Sequence, residues 1–275
     1  MGDASGRPAT AVRGEATLEE PRLRDRMETF QMFEHSPAWP HGEVQDAFPE
    51  VFYVLGTNKT HHAGINLQTS RTMTVLRQDR ELTLVNTVRL TEEGLRQLDA
   101  LGQVRHVVRL GAFHGRDDPF YRDRYGATLW ALPEAVAADG RPADRALAEG
   151  GPFPADGGIV FEFTTARFPE AAVLLPREGG ILITCDAVQN WSHVDPFFSE
   201  ETGALFVAQG LIGAANIPAT WREACAPDIS DFRRLADLPF RHLISAHGEP
   251  LRDGASRLLQ TRIDEVFRPR GQEPM

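Results

Sequence analysis

Cysteine is nearly missing: the 275 residues contain two, Cys185 and Cys225. Two thiols make at most one bridge, which is no disulfide framework. The reading is a pair of reduced thiols in a cytoplasmic chain. Long apolar runs are missing as well. None approaches the roughly 18 residues of a membrane helix, and residues 1–25 lack the apolar stretch of a secretory signal. Positive charge is in short supply, with 29 Lys and Arg against 39 Asp and Glu and a net charge of -10. That balance argues against nucleic acid as a partner, because phosphate backbones want a basic surface. It leaves room for a local basic pocket and a small-molecule substrate. The nucleophile elbow, the phosphate-binding loop and the dinucleotide fingerprint do not occur.

What remains is an ordinary globular composition, 41% hydrophobic and 25% charged, enough for a substantial core. Residues 1–26, rich in Gly, Ala, Arg and Glu, are expected to be a disordered tail. Residues 27–275 are expected to form one domain. Phe30 to Pro49 reads as an irregular segment. Short β-type runs follow: Val51–Leu55, Gly64–Gln68, Thr72–Leu76 and Leu82–Val85. Turn residues at Gly56-Thr57-Asn58 and Gln78-Asp79-Arg80 separate them. Thr91 is placed to cap a helix, with Glu92 and Glu93 in its first turn. Leu95, Leu98 and Leu101 form its apolar face. His106–Leu110 and Ala127–Ala131 read as strands, and Pro133 to Gly158 as a loop. In the second half, Ile159–Phe163, Ala171–Leu175 and Gly180–Thr184 are strands, the last two joined as a hairpin. His242–Ala246 is the final strand, and Leu258, Leu259, Ile263 and Val266 mark a closing helix. Strand-rich segments followed by helical material in both halves suit two packed sheets with helices outside.

Three of these strands end in residues able to hold a metal or move a proton. His106–Leu110 leads into Phe113-His114-Gly115-Arg116-Asp117-Asp118-Pro119. Gly180–Thr184 leads to Cys185-Asp186, and His242–Ala246 to His247-Gly248. Sites in α/β folds lie beyond the carboxyl ends of strands. Two imidazoles and two carboxylates gathered there suit zinc, manganese or iron. Taken singly, each residue also reads as a hydrogen-bonded loop or turn residue. Cys185, set in an apolar strand with no cation beside it in sequence, is discounted as a nucleophile. His193, in the loop after Asp186, and His61-His62, in an early turn, are candidates for contact with a substrate, or plain surface residues.

This succession resembles the metallo-β-lactamase fold family over roughly residues 50 to 270. The resemblance implies an αββα sandwich, a di-metal centre between the sheets and hydrolysis by metal-bound hydroxide. Position by position, His114 falls on the first histidine of the H-x-H-x-D-H loop and Asp118 on its aspartate. Arg116 and Pro119 stand where the other two histidines belong. Arg167, in Ala166-Arg167-Phe168-Pro169-Glu170, replaces the histidine of the next loop. Asp186 resembles the bridging aspartate, and His247 the closing histidine. The first metal position thus loses two ligands to arginine, whereas the second keeps Asp118, Asp186 and His247, with His114 close by.

Two outcomes follow. In one, a single metal sits among His114, Asp118, Asp186 and His247. It activates water against an ester, thioester, lactone or phosphoester, with Asp118 or Asp186 relaying the proton and Arg116, Arg167 and His193 contacting an anionic substrate. In the other no metal binds. Arginine at the ligand positions pairs with Asp118 and Asp186, and the chain is a non-catalytic small-anion-binding or interaction protein.

Overall fold

The computed structural model describes residues 33–62 and 64–268, so the tail expected at 1–26 lies outside the described residues. Seven strands form the first sheet: β1 (Gln45–Phe48), β2 (Val51–His62), β3 (Ile65–Gln78), β4 (Glu81–Val85), β5 (Gln103–Arg109), β6 (Thr128–Ala131) and β7 (Arg145–Ala146). They lie side by side in chain order. The first four are antiparallel and the last three join in parallel. The second sheet holds β8 (Ile159–Glu162), β9 (Ala171–Leu175), β10 (Ile181–Thr184) and β11 (His242–Ser245) in the order β11-β10-β9-β8. Only its β10–β11 pair is parallel.

The two sheets stack because their strands are apolar on both faces. Along β2, Val51, Tyr53 and Leu55 point into the core shared by the sheets, where they meet Val173, Leu175, Ile181, Ile183 and Ile244. Phe52 and Val54, one residue out of phase, face outward to a second cluster. That cluster takes in Leu95 and Leu98 of α1 (Glu92–Leu101) and Phe120 and Tyr121 of α2 (Asp118–Tyr125). The second sheet does the same. Its outer residues Ala172, Leu174, Leu182 and Leu243 meet Trp221 of α4 (Ala219–Cys225), Phe232 and Leu235 of α5 (Ile229–Ala236), and Leu259 and Ile263 of α6 (Ala255–Val266). A period of two with both phases buried gives the continuous apolar runs of the sequence. The architecture is an αββα sandwich. The remaining helix, α3 (Glu200–Ala208), joins a small cluster of Trp191, Phe198, Phe206 and Leu211.

Thr91 caps α1, its hydroxyl accepting from the Gly94 N–H. Elsewhere the local reading needs correction. The expected turn at Gly56-Thr57-Asn58 is the middle of β2, and the two runs before and after Thr69 are one 14-residue strand, β3. Register is unbroken from Val51↔Leu76 to His62↔Ile65. Gly56 signals close approach rather than a turn: a Cβ there would lie 2.7 Å from Val88 Cγ1. The irregular segment before Pro49 contains β1, and the loop from Pro133 to Gly158 contains β7. Asp118-Pro119 opens a helix, with proline in its first turn, where its missing N–H costs nothing.

Candidate metal centre

The parallel β10–β11 pair sets the geometry of the site. Thr184 and Ser245 are register partners at its carboxyl end. Two residues further along each chain stand Asp186 and His247, which therefore leave the sheet side by side. His247 Nε2 lies 2.8 Å from Asp186 Oδ1. The first sheet brings His114 to them from the loop after β5. Its Nε2 is 3.2 Å from His247 Nε2 and 3.5 Å from Asp186 Oδ1. Hydrogen bonds between the sheets hold this corner together. Thr72 donates its N–H to the Ala246 carbonyl at 2.8 Å and its hydroxyl to the Gly248 carbonyl at 2.6 Å. Asn86 Nδ2 donates to the Thr184 carbonyl at 3.1 Å.

Electrostatics follow from burial. Burial pushes His114 down from 6.5 to about 4, against the pull of Asp186, and Arg71 adds to the depression. The ring is therefore neutral at ordinary pH. Burial works against the Asp186 carboxylate, but His114 and His247 outweigh it and hold the group well below its usual range. Glu170, 1% exposed, is pushed well up by burial and then by Asp186. Its Oε1 accepts the Ala187 N–H at 2.7 Å. The Cys185 thiol is also pushed well up by burial and by Asp186 and Glu170. His114, Cys185 and Asp186 present ligand atoms within 4.8 Å of one another. We rank His247 above Cys185 as the third donor, because its Nε2 lies 2.8 Å from the Asp186 carboxylate and the Cys185 Sγ 3.9 Å.

A tetrahedral ion with bonds of about 2.1 Å spaces its ligands about 3.4 Å apart. Of the separations among Asp186, His247 and His114, 3.2 and 3.5 Å lie near that spacing, whereas the 2.8 Å between Asp186 and His247 is a hydrogen bond. These three residues fit a metal by number and type. Two ring nitrogens are discordant: the buried His247 Nδ1 has no hydrogen-bond partner among the described residues, and His114 Nδ1 has the wrong one. Metal-bound histidines ordinarily give their second ring N–H to an acceptor, whereas His114 Nδ1 faces a donor, Arg71 Nη2, at 3.1 Å.

Comparison with solved structures bears on the fold. The metallo-β-lactamase FIM-1 from Pseudomonas aeruginosa, in its mono-zinc form, superposes with a TM-score of 0.55 at 14% identity, covering 85% of this chain and 99% of that one. A metallo-β-lactamase from Erythrobacter litoralis gives 0.52 at 16%, over 82% and 94%. One from Pontibacter korlensis gives 0.54 at 13%, over 81% and 98%. The chain has the metallo-β-lactamase fold. No protein-family model matches the sequence, and no curated protein does either.

Within this metallo-β-lactamase fold, the residues singled out from sequence separate into two groups. His114, Asp186 and His247 converge. Asp118 does not join them. It is fully buried, with Oδ2 on Arg109 Nε at 2.9 Å and Oδ1 on the Thr87 hydroxyl at 2.6 Å. The helix start at Asp118-Pro119 turns it toward the end of β4 and β5. Arg116 and Arg167 do not pair with Asp118 or Asp186. Arg116 Nη1 donates to the Lys59 carbonyl at 3.2 Å. Arg167 is exposed, its backbone N–H on the Cys225 carbonyl at 2.7 Å. His193 is exposed too, its Nδ1 3.1 Å from the Ser192 hydroxyl. His61 pairs with Asn66 across the β2–β3 arm at 2.9 Å. Trp191 supports His247 from behind, ring centroids 4.4 Å apart, with its Nε1 on the Ser70 hydroxyl at 2.9 Å.

The guanidiniums beside the carboxylates are Arg109 and Arg71, which sequence reasoning missed. Arg71 Nη1 lies 3.5 Å from Asp117 Oδ2. Each had a signal. Arg109 interrupts an apolar run, and a buried arginine needs a carboxylate. Arg71 was hidden by the misreading of β3 as two strands.

Proposed function

We propose that the chain is a hydrolase working through one divalent ion, zinc, manganese or iron, held by His114, Asp186 and His247. The substrate is an ester, thioester, lactone or phosphoester carrying an anionic group. The observation behind this reading is the convergence of three ligand atoms at 2.8 to 3.5 Å from both sheets. When bound, such an ion acidifies a water molecule toward neutral pKa. The chain's own residues supply the rest. Asp186, held as a carboxylate, orients the donors beside it. Asp118 is committed to Arg109 and Thr87, which removes it as a proton relay. Arg116 is held by one backbone acceptor and keeps donors for an anion. Phe113 and Phe168, 54% and 39% exposed with ring centroids 5.3 Å apart, follow and precede the clasp where Ala112 donates to the Pro169 carbonyl. This exposed pair, next in sequence to His114 and Arg167, supports an apolar group in the substrate.

The test is metal content after purification without chelator. The expected value is about one equivalent per chain, lost in an Asp186→Ala, His247→Ala double variant. No uptake even from excess zinc, manganese or iron sinks the proposal. The Arg71–His114 contact favours a second reading, a non-catalytic chain that binds a small anion or a partner, and that same null result would select it.

A further inference from the structure

We propose that Arg109 is a built-in countercation at Asp118, which makes this a centre for one metal only. The inference rests on the single-ion reading above and concerns the position that does not fit a metal. Asp118 and Arg109 are 0% and 2% exposed. A carboxylate this buried must be neutralised. Both of its oxygens are engaged: Arg109 Nε on one, the Thr87 hydroxyl on the other. The backbone is built around the guanidinium. Gly115 has φ 99°, and a side chain there would overlap Arg109 Nε and lie 2.6 Å from its Cζ. Arg109 Nη1 is fixed on the Val136 carbonyl at 2.7 Å. The same substitution of charge recurs one residue earlier, where Arg71 serves Asp117. Two guanidiniums thus stand against two adjacent buried carboxylates, and Asp186 is left to the imidazoles.

The experiment uses the full chain and four forms of it: the unaltered protein, Asp118→Asn, Arg109→Met and the Arg109→Met, Asp118→Asn double variant. Metal per chain is read by native mass spectrometry, and melting temperature with and without zinc by calorimetry. Asp118→Asn is expected to carry as much zinc as the unaltered chain, while melting lower because Arg109 loses its partner. Arg109→Met, which bares the carboxylate, is expected to gain a zinc-dependent rise in melting temperature or a second zinc. The double variant is expected to lose that gain. If Arg109→Met folds only with zinc, or only when Asp118→Asn is added, the proposal stands. Loss of zinc on Asp118→Asn, or an Arg109→Met chain indifferent to both zinc and the second substitution, overturns it. Failure of the functional reading looks different: the unaltered chain then takes up no metal, while the zinc response of Arg109→Met still decides the present point.

Discussion

His114 Nδ1 accepts a hydrogen bond from Arg71 Nη2 at 3.1 Å. A neutral imidazole that accepts at Nδ1 carries its proton on Nε2, the atom facing Asp186 and His247. An ion at that corner competes with this proton. Arg71 therefore weakens the site it borders, and Arg71→Gln should strengthen it. The amide oxygen can accept from Nδ1–H and turn the Nε2 lone pair toward the metal. Such outer partners change metal affinity about tenfold or more. We expect a tighter zinc constant by about that factor in competition with a chromophoric chelator; an unchanged or weaker constant refutes the tautomer argument. The positions of His114, Asp186 and His247 were legible because each ends an apolar strand. Their countercharges were not. Arg116 and Arg167 sit at aligned ligand positions, but alignment gives a Cα position and not a side-chain direction. The arginines that reach the carboxylates start one strand end away, at Arg109, and mid-strand, at Arg71.

Among the elements, the strands were readable wherever both faces are apolar, as in β9, β10 and β11. They were unreadable where polar residues are buried in mid-strand. Thr57, Ser70, Arg71 and Thr72 are all buried in the β2–β3 arm, so its pattern imitates turns. The α2 start is hidden for a related reason: in sequence Asp118-Pro119 resembles a damaged ligand motif, and in the fold it is a helix N-terminus. The turn after β11 carries a prediction of its own. Gly248 has φ 81°, and any side chain there would collide with the Asn190 carbonyl. Asn190 in turn donates its N–H to the His247 carbonyl at 3.0 Å and its side chain to the Glu249 carbonyl at 2.6 Å. Gly248→Ala should cost about 3 kcal/mol in denaturant unfolding, from backbone strain and overlap together. It should also reduce metal uptake, because His247 moves with the strand end. A change under about 1 kcal/mol means that the turn is softer than its contacts suggest.

At the scale of the molecule, burial governs the tyrosines. The chain has three. Tyr53 is raised by burial, Tyr121 is raised well above 10 by burial, and Tyr125 is raised to about 12 by burial and by its hydrogen bond to Asp99. As pH rises past 10, the unfolded chain releases phenolic protons that the folded chain keeps. Their contribution to stability is complete below pH 10 and is lost as pH climbs through the folded values. Phenolate absorbance should therefore stay low through pH 10 and rise together with loss of circular dichroism. A phenol titrating near 10 in a chain that is still folded contradicts this. The sandwich itself was foreseeable, since strand-rich segments in both halves with apolar runs leave few other ways to bury both faces of each sheet.

The inter-sheet position of the centre bears on how the chain folds. Asp186 and His247 are separated by 61 residues, and His114 and His247 by 133. The first sheet is drawn wholly from residues before Leu147 and the second wholly from residues after Gly158. Asp186 and His247 meet when β10 pairs with β11 inside the second sheet, whereas His114 joins them only when the two sheets dock. Time-resolved uptake of an ion during refolding would then mark the docking step itself, distinct from the earlier growth of either sheet.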